Sequence, residues 1–361
     1  MIGVLREKHG ARAPAVSPAA GEKVYFLPRK GHSMKRKNTI ITVLVSNTYL
    51  VTRDFLEQLM RLGTVNHYSA WDTLDLCQVL AETDILVTGW GSPLLPDNFP
   101  KKNKRLKYIC HLTGEMKKTI RPSYIGSRIA VTNWGSSIAF ATAEGAIALL
   151  FSVLKQIPAL YHSVVNPDVP FEVTRPVMSL HGMRVGIYGL GFIGQLVAKM
   201  LRPFSPCFSF YDPTIKKAPR GMKQHHSMHD LFKNNDIVTV HAGLNDATRG
   251  SVTYEKLSLM PQGGVFINTA RGPIVVEKDL ARILREKRLY AGIDVIENER
   301  DWLKSPLAKC SNAILTGHCI ASTGKIGQQV IQQTALENIR AFIHGKPLKY
   351  VIDRERYRLM T

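Results

Sequence analysis

From residue 38 the chain alternates short apolar runs with segments whose apolar residues recur at helical spacing. Ile40-Ile41-Thr42-Val43-Leu44-Val45 reads as a strand, 53–62 as a helix and 74–80 as a shorter helix, while 84–88, 106–110 and 129–132 add three strands. Strands alternating with helices predict a parallel sheet covered on both faces, so 38–134 is expected to form one small α/β unit. Residues 141–156 form an alanine-rich apolar helix broken near Pro158. A helix apolar on so many sides is expected to bury both faces, as an interdomain spine or a dimer contact.

A second alternation follows. Residues 183–188, 208–212, 236–241, 264–268, 289–294 and 313–316 read as strands, with helices near 253–259 and 276–287. Six strands with crossover helices make a full dinucleotide-binding sheet. One more helix, 323–344, is expected to cross back onto the first unit. The predicted architecture is α/β with two domains and a cleft between them. A Rossmann domain with a six-stranded parallel sheet spans 135–319, and a smaller, discontinuous flavodoxin-like domain spans 38–134 and 320–361.

The second alternation opens on Gly189-Leu190-Gly191-Phe192-Ile193-Gly194, between an apolar strand and an amphipathic helix. Gly189 permits the tight turn, Gly191 lets a pyrophosphate approach the backbone, and Gly194 lets the helix pack closely on the sheet. The free N–H groups and dipole at the helix start receive the negative charge. Asp212 closes the next strand 18 residues after Gly194, where a carboxylate hydrogen-bonds both hydroxyls of an adenosine ribose and repels a 2′-phosphate. The expected cofactor is therefore NAD.

Three titratable residues fall just beyond later strands: Arg271, Glu299 and His318. In a parallel sheet these ends share the rim that carries the glycine turn. Hydride transfer to a ketone needs a proton donor, which His318 supplies when a carboxylate such as Glu299 orients it and keeps it charged. Arg271 offers a planar fork for a substrate carboxylate. In the first unit, Gly89-Trp90-Gly91-Ser92-Pro93 follows a strand end. It reads either as a carboxylate-binding turn under an aromatic wall, through Trp90 and Gly91, or as a tight turn with Trp90 plugging a core edge.

Bulk properties change this picture little. The 361 residues are 45% hydrophobic and 21% charged, as expected of a globular chain with two cores. The net charge of +20 could suggest a polyanion partner, but nine basic residues stand against two acids in 1–37 and five against two in 346–361, so half of the excess lies in the ends. Residues 1–37 lack periodicity and read as a poorly ordered basic tail, a solvated segment rather than a nucleic-acid arm. Without an apolar leader or a long apolar run, the expected compartment is the cytoplasm, with no membrane partner. The five cysteines form no Cys-x-x-Cys pair and are expected to be reduced, mostly buried thiols. His225, His226 and His229 lack the further ligands of a closed site, so no metal is expected and a solvated helix start is preferred.

The glycine turn, Tyr211-Asp212-Pro213, Asn268-Thr269-Ala270-Arg271-Gly272, Ala291-Gly292-Ile293-Asp294-Val295 and His318 with Ser322-Thr323 together resemble the D-isomer-specific 2-hydroxyacid dehydrogenase family, over about 38–345. This family includes phosphoglycerate, glycerate and D-lactate dehydrogenases. The resemblance implies reversible reduction of a small 2-keto acid to a D-2-hydroxy acid with NADH, and Arg271, Glu299 and His318 as the catalytic trio. Glu299 is preferred to Glu297 because it stands five residues after Asp294. It further implies that Asp294 binds the nicotinamide amide. Thr269, Ala270 and Arg271 would line the cofactor with Gly189, Gly191, Phe192, Ile193, Gly194, Asp212, His241 and His318. The first domain would be the substrate domain, closing over a cleft in which Trp90 and Gly91 meet the substrate together with Arg271 and His318 of the nucleotide domain, and the nucleotide domain would form a homodimer. The chain departs from the family's pattern at Gly317 and Arg300, where proline usually flanks the histidine and the glutamate, and at His241-Ala242-Gly243, which lacks that loop's proline. An NAD-responsive scaffold with little turnover, like the family's corepressors, is the alternative.

Overall fold

The structure is a computed structural model that describes residues 39–166, 168 and 177–360; the basic segment 1–37 lies outside the described residues. Strand β1 (Ile40–Leu44) leads through helix α1 (Arg53–Met60) to β2 (Thr64–Tyr68), then through α2 (Leu76–Ala81) to β3 (Ile85–Thr88). Helix α3 (Phe99–Lys102) precedes β4 (Tyr108–His111) and β5 (Ala130–Thr132). All pairs are parallel, in the order β2-β1-β3-β4-β5, which is the flavodoxin order. Helix α1 forms here because Thr52 accepts the Phe55 N–H at its start and because Phe55 and Leu59, one turn apart, are both fully buried. Burying each of these side chains contributes about 2 kcal/mol.

Helix α4 (Ala139–Leu154) lies over the second sheet, and α5 (Ile157–Val165) follows it at 57°. The expected two-sided burial of α4 is not what forms. Its Ala143, Ala146, Leu149, Leu150, Val153 and Leu154 join the core of the second sheet. The helix breaks near Pro158 as expected: α4 ends at Leu154, Gln156 turns the chain at φ 51°, and Pro158 sits in the first turn of α5. A proline is tolerated there because its missing N–H has no intrahelical partner to lose. None of the residues of α5 is buried. Among the described residues no single helix is long and apolar enough to cross a membrane.

The second sheet comprises β6 (Arg184–Tyr188), β7 (Cys207–Tyr211), β8 (Lys223–Gln224), β9 (Ile237–Val240), β10 (Gly264–Asn268), β11 (Leu289–Ile293) and β12 (Ala313–Leu315), in the order β12-β11-β10-β9-β6-β7-β8. It thus has seven strands among the described residues, where six are expected. The addition is β8, a two-residue edge strand on Ser209 and Phe210, too short to show a period. Helices α6 (Phe192–Leu201), α7 (Met228–Lys233), α8 (Tyr254–Ser258) and α9 (Glu277–Arg285) make the crossovers.

The chain then returns. In α10 (Gly324–Ile343), Ile331, Ala335, Leu336, Ile339 and Ile343 complete the core above β1, β3 and β4. Val351 bridges Thr132, and the Tyr357 hydroxyl of α11 (Arg354–Leu359) donates to the Ile120 carbonyl at 2.7 Å. The same short helix meets the second unit. The Leu359 carbonyl lies 2.5 Å from where a Cβ on Gly243 would be, and the Arg356 guanidinium is 5.7 Å from the Phe192 ring. All five thiols are free, but only Cys110 and Cys310 are buried. Cys77, Cys207 and Cys319 are exposed, against the expectation of mostly buried thiols.

Candidate active site

Register places the candidate residues in one row. Tyr188, Val240, Asn268, Ile293 and Leu315 are partners across β6, β9, β10, β11 and β12. Beyond them the row continues as Gly189, His241, Thr269, Asp294 and Thr316. The N–H groups of His241, Asp294 and Thr316 donate to the carbonyls of Tyr188, Asn268 and Ile293 at 2.7, 2.9 and 3.1 Å. The carboxyl ends of a parallel sheet are thereby edged by a line of small and polar side chains.

At the middle of that edge the three glycines meet different surroundings. A Cβ on Gly189, at φ 89°, would lie 2.5 Å from the Ala242 nitrogen, and one on Gly194 would lie 2.4 Å from the Gly189 carbonyl. Both positions therefore need glycine for packing. Gly191 caps α6, with no side-chain cap, and a Cβ there would meet nothing within 4 Å. The helix's first N–H groups and positive dipole end face that open side. Asp212 ties β7 to this turn, accepting the Leu190 N–H at 2.9 Å on one oxygen and the Thr214 N–H and hydroxyl at 2.9 and 2.7 Å on the other. Phe192 and Ile193 begin α6 and are partly buried. Nearby, Thr269 Oγ1 is buried without a partner among the described residues, and Ala270 N–H is held by Asn268 at 3.0 Å. An unpartnered hydroxyl and an open glycine beside a helix start fit a dinucleotide. Burial pulls His241 down to about 4, so it presents a neutral ring, hydrogen-bonded to Thr239 at 2.9 Å.

The edge nearest β12 carries the candidate His318–Glu299 pair. His318 Nδ1 is 2.8 Å from Glu299 Oε2, and both side chains are partly open to solvent. Among the described residues Nε2 makes no hydrogen bond. Asp294 braces the loop beneath. One of its oxygens accepts from the Thr316 hydroxyl at 2.6 Å and from the Cys319 and Ile320 N–H groups at 3.0 and 3.2 Å, while its carbonyl accepts the His318 N–H at 2.7 Å. The backbone turns left-handed at both Gly317 (φ 66°) and His318 (φ 59°). Proline, fixed near φ −65°, could not occupy position 317 in this turn, so the departure there belongs to a differently built loop.

Arg271 follows β10, with Nη1 donating to the Ala270 carbonyl at 2.7 Å. Burial pulls its guanidinium below the usual value, while the carboxylates of Glu115 and Glu299 act the other way. Gly272 brings it to Glu299's loop, since a Cβ on Gly272 would lie only 2.0 Å from the Ile296 carbonyl carbon. On the first unit, Trp90 packs edge-on against Trp134 at 5.5 Å and is 43% exposed, so it does not plug a core edge. Gly91 lies at φ 77°, in a turn closed by Ser92, whose hydroxyl accepts the Gly89 N–H at 2.8 Å and donates to the Leu44 carbonyl.

Glu115 and Glu277 escaped sequence reasoning. Glu115, on the other unit, pairs with Lys118 at 3.5 Å and acts on Arg271 only through its charge, and Glu277 looks like any acid in a helix's first turn. The histidine cluster scatters: His225 is buried, and His229 pairs with Asp230, 3.6 Å away, in the first turn of α7.

Residues 147–321 match the family model of the D-isomer specific 2-hydroxyacid dehydrogenase NAD binding domain. The chain is similar to a glyoxylate/hydroxypyruvate reductase of Arabidopsis thaliana, 33% identical over 61% of this chain and 68% of that protein. A glyoxylate reductase of Aeropyrum pernix is 30% identical over 63% of this chain and 70% of its own length. In fold, the chain is like a glyoxylate reductase from Paecilomyes thermophila, with a TM-score of 0.75 at 24% identity over 86% of this chain and 98% of that one.

Proposed function

The chain belongs to the D-isomer specific 2-hydroxyacid dehydrogenase family, and from that premise we infer how its own residues serve the reaction. It is an NAD-dependent oxidoreductase acting between small 2-keto and D-2-hydroxy acids. The bound cofactor supplies or accepts the hydride. Gly189, Gly191, Phe192, Ile193 and Gly194 would hold its pyrophosphate at the start of α6, and Asp212 would take the adenosine ribose. His241, Thr269, Ala270 and Asp294 would line the cofactor toward its nicotinamide end. Arg271 clamps the substrate carboxylate and polarises the ketone. His318 delivers a proton to the ketone oxygen from Nε2 while Glu299, on Nδ1, sets the tautomer and stabilises the imidazolium. Charge that develops on the oxygen is thus met by two cationic groups already in place.

Residues 38–134 and 320–361 act as the substrate domain and 135–319 as the nucleotide domain, with Trp90 and Gly91 forming the substrate's outer wall. Glyoxylate and hydroxypyruvate, named for the relatives, are the first substrates to test. The exposed apolar side chains of α5, Ile157, Tyr161, Val164 and Val165, support a homodimer built on the nucleotide domain. Five free thiols are in keeping with the reducing cytoplasm.

The observation that carries this reading is the 2.8 Å His318–Glu299 pair on the same sheet edge as the glycine turn. The test is NADH oxidation with a panel of 2-keto acids, run beside direct measurement of NADH binding. Turnover with glyoxylate or hydroxypyruvate is expected. Tight NADH binding without turnover of any acid would sink the assignment.

A further inference from the structure

The loop that bears Glu299 leaves the core at Ile296, which is 3% exposed, and re-enters it at Ser305, 5% exposed, with Glu297, Asn298, Glu299 and Arg300 all exposed between. Each residue of such an excursion regains about 1–2 kcal/mol of backbone entropy if it is left free. Within the loop, Arg300 stands where a proline would stiffen it. The Asp301–Lys304 ion pair at 2.7 Å has its lysine 84% exposed, so it contributes little order. Asn298 orders one turn, its side chain and carbonyl accepting the Arg300 and Asp301 N–H groups at 3.3 and 3.2 Å, but the feet of the loop are held from outside.

That hold comes from Glu277. This residue begins α9, whose Leu280, Ala281, Ile283 and Leu284 are buried in the core, so its backbone is fixed. Its two carboxylate oxygens go to the two feet of the loop. Oε2 accepts the Glu297 N–H at 2.9 Å, and Oε1 accepts the Ser305 hydroxyl at 2.5 Å. The Ser305 oxygen in turn accepts the Leu307 N–H at 3.2 Å, tying the second foot into the turn that follows. Under the first foot, Gly272 leaves no room for movement downward: a Cβ there would lie 2.6 Å from the Glu297 nitrogen. Glu299 is two residues from the clamped Glu297 N–H, at most about 7 Å of chain.

We propose that Glu277 is a positioning residue that acts through Glu299, clamping both feet of its loop so that the Glu299 carboxylate stays on His318 Nδ1. This rests on the catalytic roles inferred above for Glu299 and His318. Glu277 touches neither substrate nor cofactor in this scheme.

The experiment is a double-mutant cycle on the full-length protein: wild type, Glu277→Ala, Glu299→Ala and the pair, each measured for kcat at saturating NADH, for NADH affinity and for Tm. Glu277→Ala is expected to lower kcat about tenfold, a coupling within the range for residues of one network. NADH affinity should stay within about twofold, because the cofactor's contacts are untouched. Added to Glu299→Ala, the same substitution should change kcat by less than about twofold, since the group it positions is gone. An equal loss in both backgrounds, or no loss in the wild type, overturns the proposal. Should Glu277→Ala fail to fold, Ser305→Ala and Glu277→Gln each weaken one foot and are read in the same cycle. Wild-type and Glu299→Ala turnover report on the catalytic roles themselves, so failure of the clamp and failure of those roles are told apart.

Discussion

His111 and His318 stand at similar places on the two sheets, one ending β4 and the other three residues beyond β12, and they have opposite fates. His111 is 1% exposed and spends both ring nitrogens on the protein: Nδ1 on the Thr88 hydroxyl at 2.9 Å, Nε2 on the Glu115 carbonyl at 2.7 Å and the Thr113 hydroxyl at 2.8 Å. Burial pushes it down to about 4, and it holds a loop. His318 spends one nitrogen on Glu299 and keeps the other turned outward. Position at a strand end does not make a histidine an acid. The role proposed for His318 rests on its unspent nitrogen and the carboxylate behind it.

This contrast can be broken by experiment. The largest effect is expected for His318→Ala, a loss of about 10²–10⁴ in kcat with NADH binding preserved. Equal turnover in this variant would place the proton donor elsewhere. His111→Ala should act on stability, costing about 2–3 kcal/mol because the partners of a fully buried ring are left unsatisfied. Its kcat per folded molecule should stay within about threefold of wild type. A variant with unchanged Tm and lost turnover would erase the distinction.

The smallest signal is the pH dependence of stability. A buried histidine with a folded value near 4 against an ordinary 6.5 takes up its proton first in the unfolded chain, so its contribution is intact above pH 6.5 and is lost as pH falls toward 4. The full span is worth up to about 3 kcal/mol. Urea midpoints of wild type and His111→Gln at neutral pH and near pH 4.5 should show a shallower decline in the variant. Parallel declines would mean that His111 is not the group titrating.

What was legible in the chain was local. The placement of Gly189, Gly191 and Gly194 follows from spacing, because each must fit within one strand–turn–helix unit, and that of Arg271, Glu299 and His318 from strand ends that a parallel sheet must align. Edge strands were not legible. Thr64–Tyr68 is half-polar and β8 has only two residues, so neither carries the alternation that a half-buried strand shows. Helix α4 is apolar on more sides than it buries, and periodicity cannot say which of them meets the sheet. Glu277 is hidden for another reason: its partners lie 20 and 28 residues downstream, and nothing local sets it apart from a solvated acid.

The return of the chain in α10 and α11 also sets an order in time. The nucleotide unit's strands are contiguous, whereas β1 to β5 lack one wall of their core until Ile331, Ala335 and Ile339 arrive. On the ribosome, the sheet begun first is therefore finished last, and it waits with apolar strands uncovered while its neighbour can already fold. Protease sensitivity of stalled nascent chains ending before residue 324 would read that interval directly, with resistance of 39–132 at that stage being the outcome that contradicts it.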